Sequence, residues 1–356
     1  MKGWRLTMAD ASLTYTDLPV PKVRDGSVLI RMQASPLLSY LRSFAAGELT
    51  SYLPPEGEFT PGTNGIGIIE QAGPGVYGLD AGQRVFLSPH LVAAENVPEP
   101  AEALLGLTAE PGSAALLRSW PDGTLSELAL MPAAAVTSIP AALDSMPSST
   151  LAALSRCTVP YGGLLRGRLA AGETLIINGA TGAFGSAGVL VALAMGASRV
   201  VAAGRSQRVL ARLAELPRVV TVPLQGNAKS DADALREAAA GGADCALDLV
   251  GRADTADGTL ASLAALRRGG RLVLMGSMTV PLPLDYAGLL RYGREILGNF
   301  MYPRTAPAAL LAMAAAGQLD LGHIPVTTHP LSALKTAMDE AAAPGAPLVV
   351  LTPDSR

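Results

Sequence analysis

The sequence predicts an α/β protein of two domains, an all-β unit followed by a doubly wound parallel sheet. Three observations carry that prediction. The 356 residues exceed the usual size of a single domain. From Met1 to about Pro140 the pattern is short alternating or β-branched runs cut by Gly and Pro, which reads as strands joined by irregular loops. After Ser148 the rhythm changes to strand, helix, strand, and the first of these strands runs straight into a glycine-rich turn.

In the first part, residues 27–34, 65–72, 84–88 and 125–131 are the strand candidates. In the second, a strand at 174–178 leads to a helix at about 185–195 and a strand at 199–203, and further units end at Asp248 and Met275. Residues 295–300 offer one more strand. Helical stretches then follow around 306–316 and 331–342, and the tail is expected to return to the first domain. The expected division is therefore 1–145, completed by 286–356, around a parallel-sheet domain at 146–285.

Composition narrows the function. Hydrophobic residues at 49% and charged residues at 16%, with 38 Gly and 27 Pro, describe a globular, turn-rich chain. The formal charge is −3 and the 27 Lys and Arg are dispersed, so there is no basic stripe to neutralise phosphates, and nucleic acid is set aside. No apolar run reaches the roughly 18–20 residues that cross a bilayer, and the N-terminus lacks the apolar stretch of a signal peptide. A cytoplasmic location without membrane contact is expected. Cys157 and Cys245 are the only cysteines and stand far apart, which fits a reducing compartment and excludes a cysteine-built metal lobe. Both read as packing residues.

The segment Gly179, Ala180, Thr181, Gly182, Ala183, Phe184, Gly185 follows an apolar strand and opens a helix. Glycines at this spacing let the backbone turn tightly and let a pyrophosphate approach peptide N–H groups, where the helix dipole favours negative charge. The next strand ends at Gly204, Arg205 and Ser206. A dinucleotide fold that selects NAD usually carries an acid there for the ribose hydroxyls, and its absence favours NADPH. Arg205, Ser206 and Arg208 are the candidate readers of the 2′-phosphate; the alternative is that both arginines are solvated residues opening a surface helix.

With these motifs stand Pro61 to Gly67, Gly82 to Val85, Asp122 to Glu127, Gly242 to Asp248 and Gly269 to Gly276. In that order and spacing the chain resembles the medium-chain dehydrogenase/reductase superfamily, in particular its zinc-free quinone oxidoreductase and enoyl-thioester reductase branches. The resemblance implies a GroES-like β-barrel catalytic domain, a Rossmann domain and a homodimer joined through Rossmann sheet edges. Zinc-dependent relatives place a ligand Cys within the stretch that reads Ala34 to Tyr40 here, and a His-Glu pair where this chain has Thr63 and Asn64. No metal is expected, and His90, His323 and His329 read as loop or surface residues.

Without a metal, hydrogen-bond donors must polarise the carbonyl of a small substrate, and reduction of a conjugated carbonyl needs a proton at the adjacent carbon. By spacing from Gly62, Thr63 and Asn64, Tyr52 falls where similar enoyl reductases carry a catalytic tyrosine; the competing reading is a loop aromatic that caps the core. Tyr40 is the alternative donor. Asn64 either orients substrate or stabilises its own turn. Thr158 resembles the superfamily threonine that packs on the nicotinamide, Tyr161 lines the cofactor channel or packs a helix start, and Gly276 closes the cofactor set. The expected activity is NADPH-dependent reduction of a quinone, enone or other conjugated carbonyl. A zinc-independent alcohol or carbonyl dehydrogenase and an inactive NADPH-binding protein are the alternatives.

Overall fold

The computed structural model describes residues 1–93, 96–343 and 345–354. The chain divides into two compact units, one made of Met1–Ser155, Pro307–Ala315 and Leu321–Arg356, the other of Arg156–Ala306 and Ala316–Asp320.

The first unit begins with β1 (Lys2–Thr7) and β2 (Ser12–Asp17), an antiparallel pair. There follow β3 (Ser27–Pro36), α1 (Leu41–Ala45), β4 (Glu58–Phe59), β5 (Gly65–Ala72) and β6 (Arg84–Leu87). A small antiparallel sheet comes next, from β7 (His90–Ala93), β8 (Ala101–Leu104) and β9 (Thr108–Ala109). Then come α2 (Ala114–Ser119), β10 (Leu128–Pro132), β11 (Val136–Ser138) and α3 (Ser148–Leu151). The long β3 organises this unit: β5 pairs along one edge and β10 along its first half on the other. Its side chains are buried on both faces except at Arg31 and Gln33, as the run Val28, Leu29, Ile30 requires. The expected strand at 125–131 starts only at Leu128. Leu125 and Glu127 instead bond to β1, through Trp4 N–H to the Leu125 carbonyl and Glu127 N–H to the Lys2 carbonyl, both 2.9 Å, so the chain crosses between sheets there.

After α4 (Leu154–Arg166) the second unit is built from β12 (Thr174–Asn178), α5 (Ala183–Ala194), β13 (Arg199–Gly204), α6 (Gln207–Leu213), β14 (Val219–Pro223) and α7 (Ala228–Ala238). It continues with β15 (Ala243–Asp248), α8 (Asp257–Ala264), β16 (Leu266–Leu274), α9 (Tyr286–Tyr292) and β17 (Glu295–Gly298). The six strands are parallel in the order β14-β13-β12-β15-β16-β17. This is the doubly wound arrangement the sequence predicts, with its switch point between β12 and β15. Strands buried on both faces explain near-continuous apolar runs such as Val200, Val201, Ala202, Ala203.

The tail supplies α10 (Ala306–Ala315), β18 (Val326–Pro330), α11 (Leu334–Ala342) and β19 (Leu348–Thr352). β19 runs antiparallel to the end of β3, pairing Val350 with Pro36, and β18 runs parallel to β19, so most of the tail rejoins the first unit. The parallel-sheet unit nevertheless reaches Ala306 rather than 285, because β17 is its sixth strand. A short apolar run carries no mark of which sheet will take it.

Candidate functional site

The carboxyl ends of the parallel strands converge on a groove of about 460 Å³. Its walls come from the turn after β12 (Asn178, Gly179, Thr181, Gly182), the end of β13 (Gly204, Arg205) and the loop after β14 (Leu224, Gly226). Residues 249–255, the start of α8 (Asp257, Gly258, Thr259) and Met278 also contribute. A crevice outside strand ends at a switch point is where doubly wound sheets take ligands, since loops diverge there and helix N-termini point inward.

The turn is shaped for close backbone approach. Gly179 has φ +82°, and a Cβ on Gly185 would lie 2.0 Å from the Gly179 carbonyl oxygen, so the helix start can sit this close to the turn only with glycine at 185. Gly182 is the N-cap of α5 and offers no side chain to cap it, which leaves the first N–H groups of Ala183, Phe184 and Gly185 for a ligand's anionic oxygens. These residues fit a dinucleotide pyrophosphate. The neighbouring strand end carries no side chain at Gly204, and Arg205 lines the groove beside it. Ser206 stands at the N-cap of α6 without using its hydroxyl as a cap, while Arg208 is exposed on that helix.

Arg252 lines the same groove from the loop after β15. Sequence reasoning missed it: a single Arg in a loop carries no periodic or motif signal, and only the strand order brings it to the groove that holds Arg205. Asp231, Asp254 and Asp257 also line the groove. The buried Asp231 carboxylate accepts N–H bonds from Gln225 (2.9 Å), Gly226 (3.0 Å) and Asn227 (3.3 Å), so it serves to pin the loop after β14. Beneath the groove, burial pushes the Asp248 carboxyl above its usual range, against hydrogen bonds from Thr259, Val250 N–H and Asn178. The Asn178 Oδ1 beside it is buried without a partner. Gly276 allows the loops after β15 and β16 to touch, since a Cβ there would lie 2.1 Å from the Val250 carbonyl oxygen. Thr158 and Tyr161 are buried on α4, and neither lines the groove.

In the first unit, Tyr40 and Tyr52 come together around α1. Tyr40 is the N-cap of that helix, and its ring centroid lies 6.1 Å from that of Tyr52. Tyr52 meets the buried Phe44 edge-on at 6.0 Å, and Phe44 meets Phe59 at 6.4 Å, so the Tyr52 ring rests on an aromatic platform. Burial, and then the neighbouring Tyr52 phenol, push the Tyr40 hydroxyl well above the usual tyrosine range. Asn64 is buried; its amide donates to the Leu87 carbonyl at 3.3 Å and accepts from the Thr63 hydroxyl at 3.4 Å, and its own carbonyl accepts from Thr124. Those bonds tie the turn to β6.

Two family models match the chain: "Zinc-binding dehydrogenase" over residues 183–316 and "Alcohol dehydrogenase GroES-like domain" over residues 24–141. Together they cover more than half of it, in the order of its two units. The chain is a medium-chain dehydrogenase/reductase. An alcohol dehydrogenase of Moraxella sp. is 28% identical over 335 residues, 93% of each chain. Among solved structures, 2R,3R-butanediol dehydrogenase from Bacillus subtilis has a TM-score of 0.82 at 18% identity and 99% coverage of both chains. A structure from Sinorhizobium meliloti, described as a putative zinc-binding dehydrogenase bound to NADP, has a TM-score of 0.78 at 20% identity, again over 99% of both. Superfamily membership and the Rossmann groove make this chain a nicotinamide-dependent oxidoreductase.

The first family model's description raises the question of zinc. Among the described residues no three or more of His, Cys, Asp and Glu are grouped so as to hold a metal. Burial pushes the Cys157 thiol up to about 12 and the Cys245 thiol to about 11, away from the thiolate that binds zinc. The side chains at 63 and 64 are a hydroxyl and an amide committed to the turn. The residues present do not fit the superfamily's zinc. No helix among those described is long and apolar enough to cross a membrane.

Proposed function

We propose that this chain is a cytoplasmic, zinc-independent reductase that uses NADPH to deliver hydride to a small quinone, enone or other conjugated carbonyl compound. The observation that carries the reading is the groove at the end of β13, which has Gly204 in place of a carboxylate and is lined by Arg205 and Arg252. Peptide N–H groups of the first turn of α5 would hold the pyrophosphate. The guanidinium of Arg205, planar and permanently charged, would hold the 2′-phosphate, with Arg252 as a second cation and the Ser206 hydroxyl as a further donor. When bound, the reduced nicotinamide supplies hydride.

The substrate half of the reading rests on the donor set. With no group suited to zinc among the described residues, the carbonyl is polarised by hydrogen-bond donors, and the carbon next to it takes a proton from a side chain. Tyr52 is the donor in this reading, held by Phe44 and Tyr40. Tyr40, whose phenol is pushed upward, keeps its own proton and positions the pair. The cytoplasmic placement is supported by the sparse cysteine content, two residues that stand far apart in the sequence.

A second reading, a dehydrogenase of saturated alcohols or ketones, is favoured by the name of the Moraxella relative. Steady-state assays separate the two. The purified protein should reduce enones or quinones with NADPH at least about tenfold faster than saturated ketones, and a chelator should leave the rate unchanged. Arg205→Ala should lower kcat/KM for NADPH about ten- to a hundredfold and scarcely alter that for NADH. Equal use of both cofactors, or preferential oxidation of alcohols, would overturn the corresponding half. Tight NADPH binding with no turnover of either substrate class would point instead to a binding protein.

A further inference from the structure

Gly204 has an ordinary backbone conformation for an L residue, since its φ is not among the positive ones. What excludes a side chain there is Thr181. A Cβ built on Gly204 would lie 2.5 Å from Thr181 Cγ2, 2.7 Å from its Oγ1 and 3.1 Å from its Cβ. Rotation about χ1 does not relieve this. Two of the three staggered positions on Thr181 Cβ face residue 204, and two γ atoms shared among three positions always leave at least one of them there. The backbone cannot retreat easily either. Ala180 N–H bonds to the Ala203 carbonyl at 2.9 Å, tying the turn to β13, and Leu224 N–H bonds to the Gly204 carbonyl at 3.0 Å, tying β13 to the next loop.

We propose that Thr181 determines cofactor selectivity as the partner of Gly204, its branched side chain barring any acidic residue from the end of β13. The inference rests on the NADPH reading. An acid at the strand end is what would favour two free ribose hydroxyls and repel a 2′-phosphate. Here the phosphate-binding turn itself occupies the space such a side chain needs. Selectivity is then set by two positions acting together: the absence of a carboxylate at 204 follows from the presence of a β-branched residue at 181. Thr181 also lines the groove, as Arg205 does. A change at 204 alone would disrupt the turn before it could recruit NADH.

The test is a double-mutant cycle over Gly204→Asp and Thr181→Gly, read by thermal unfolding and by calorimetric titration with NADPH, NADH, 2′,5′-ADP and 5′-AMP. The native protein should bind 2′,5′-ADP at least about tenfold more tightly than 5′-AMP. Gly204→Asp alone should lower Tm and gain no affinity for NADH. Adding Thr181→Gly should restore Tm and raise NADH affinity about tenfold or more over the single variant, with NADPH remaining weak. If Gly204→Asp alone fails to fold, recovery of a folded protein in the double variant is the same positive result. A Gly204→Asp protein with native Tm and improved NADH binding would overturn the proposal, as would losses that simply add. Equal native affinity for 2′,5′-ADP and 5′-AMP would instead overturn the NADPH reading, whatever the Tm values show.

Discussion

A tyrosine that donates a proton must be held still and must not share its proton with a better acceptor. Tyr52 meets the first demand through its contacts with Phe44 and Tyr40, and its backbone N–H is anchored on the Leu49 carbonyl at 3.0 Å. Tyr52→Phe keeps the ring on its platform and removes only the hydroxyl. It should lower kcat for an enone about ten- to a thousandfold and leave the Kd for NADPH within about threefold. Tyr40→Phe should cost less and act through the positioning of Tyr52. Stopped-flow hydride transfer measured beside steady-state turnover checks both, and an unchanged chemical step in Tyr52→Phe would move the proton to water or to Tyr40. The spacing from Gly62 makes Tyr52 a candidate, whereas its aromatic platform left no mark in the sequence, because Phe44 and Phe59 are ordinary apolar residues until the chain folds. Arg252 was illegible for a related reason: its significance lies in strand order, not in its neighbours.

The strand-turn-helix formed by β12 and α5 is where sequence and structure agree most closely. Thr174–Asn178 forms the expected strand, and the helix starts at Ala183, two residues earlier than expected, because Gly182 takes the N-cap. Periodicity and glycine spacing suffice here since the element is local. β14 and the β7-β8-β9 sheet went unseen because Val219–Pro223 and the two- to four-residue strands are too short for a periodic signal and depend on their neighbours for pairing. The turn also yields the sharpest mutational expectation at this scale. In Gly185→Ala the new methyl would lie 2.0 Å from the Gly179 oxygen and 2.7 Å from Ala180 Cα, both backbone atoms that cannot swing aside. Either the helix start moves away or the turn opens, and both spoil the N–H groups that would meet the pyrophosphate. NADPH and NADH affinities should fall together by about tenfold or more, with a loss of roughly 1–3 kcal/mol in stability. Paired titrations and denaturant melts check it; a variant that loses only one cofactor would place the defect at the ribose rather than at the turn.

At the scale of the whole molecule, the open question is what covers the outer edge of the parallel sheet. β17 pairs with β16 and, among the described residues, with no other strand, so it is an edge strand of the parallel sheet, its Gly298 carbonyl accepting from Arg166 Nε at 3.3 Å. Five of the ten exposed large hydrophobics among the described residues fall in the segments before and after it in the sequence: Leu284, Tyr286, Leu290, Tyr292 and Phe300. Helix α9 has no buried residue at all, with Tyr286 at 79% and Leu290 at 74% exposure, although a helix of this composition would ordinarily bury an apolar face. An edge strand with exposed apolar side chains before and after it in the sequence matches the surface a second copy of the same chain would use about a two-fold axis, each β17 extending the other's sheet. The homodimer implied by the superfamily resemblance is expected to form at this edge. Light scattering after gel filtration should give twice the mass of one chain at micromolar concentration. Leu290→Asp with Phe300→Asp should shift that mass to one chain, because carboxylates would then be buried unpaired in the contact. A double variant that stays dimeric, or a native protein that is monomeric at tens of micromolar, would show that the β17 edge is not the interface.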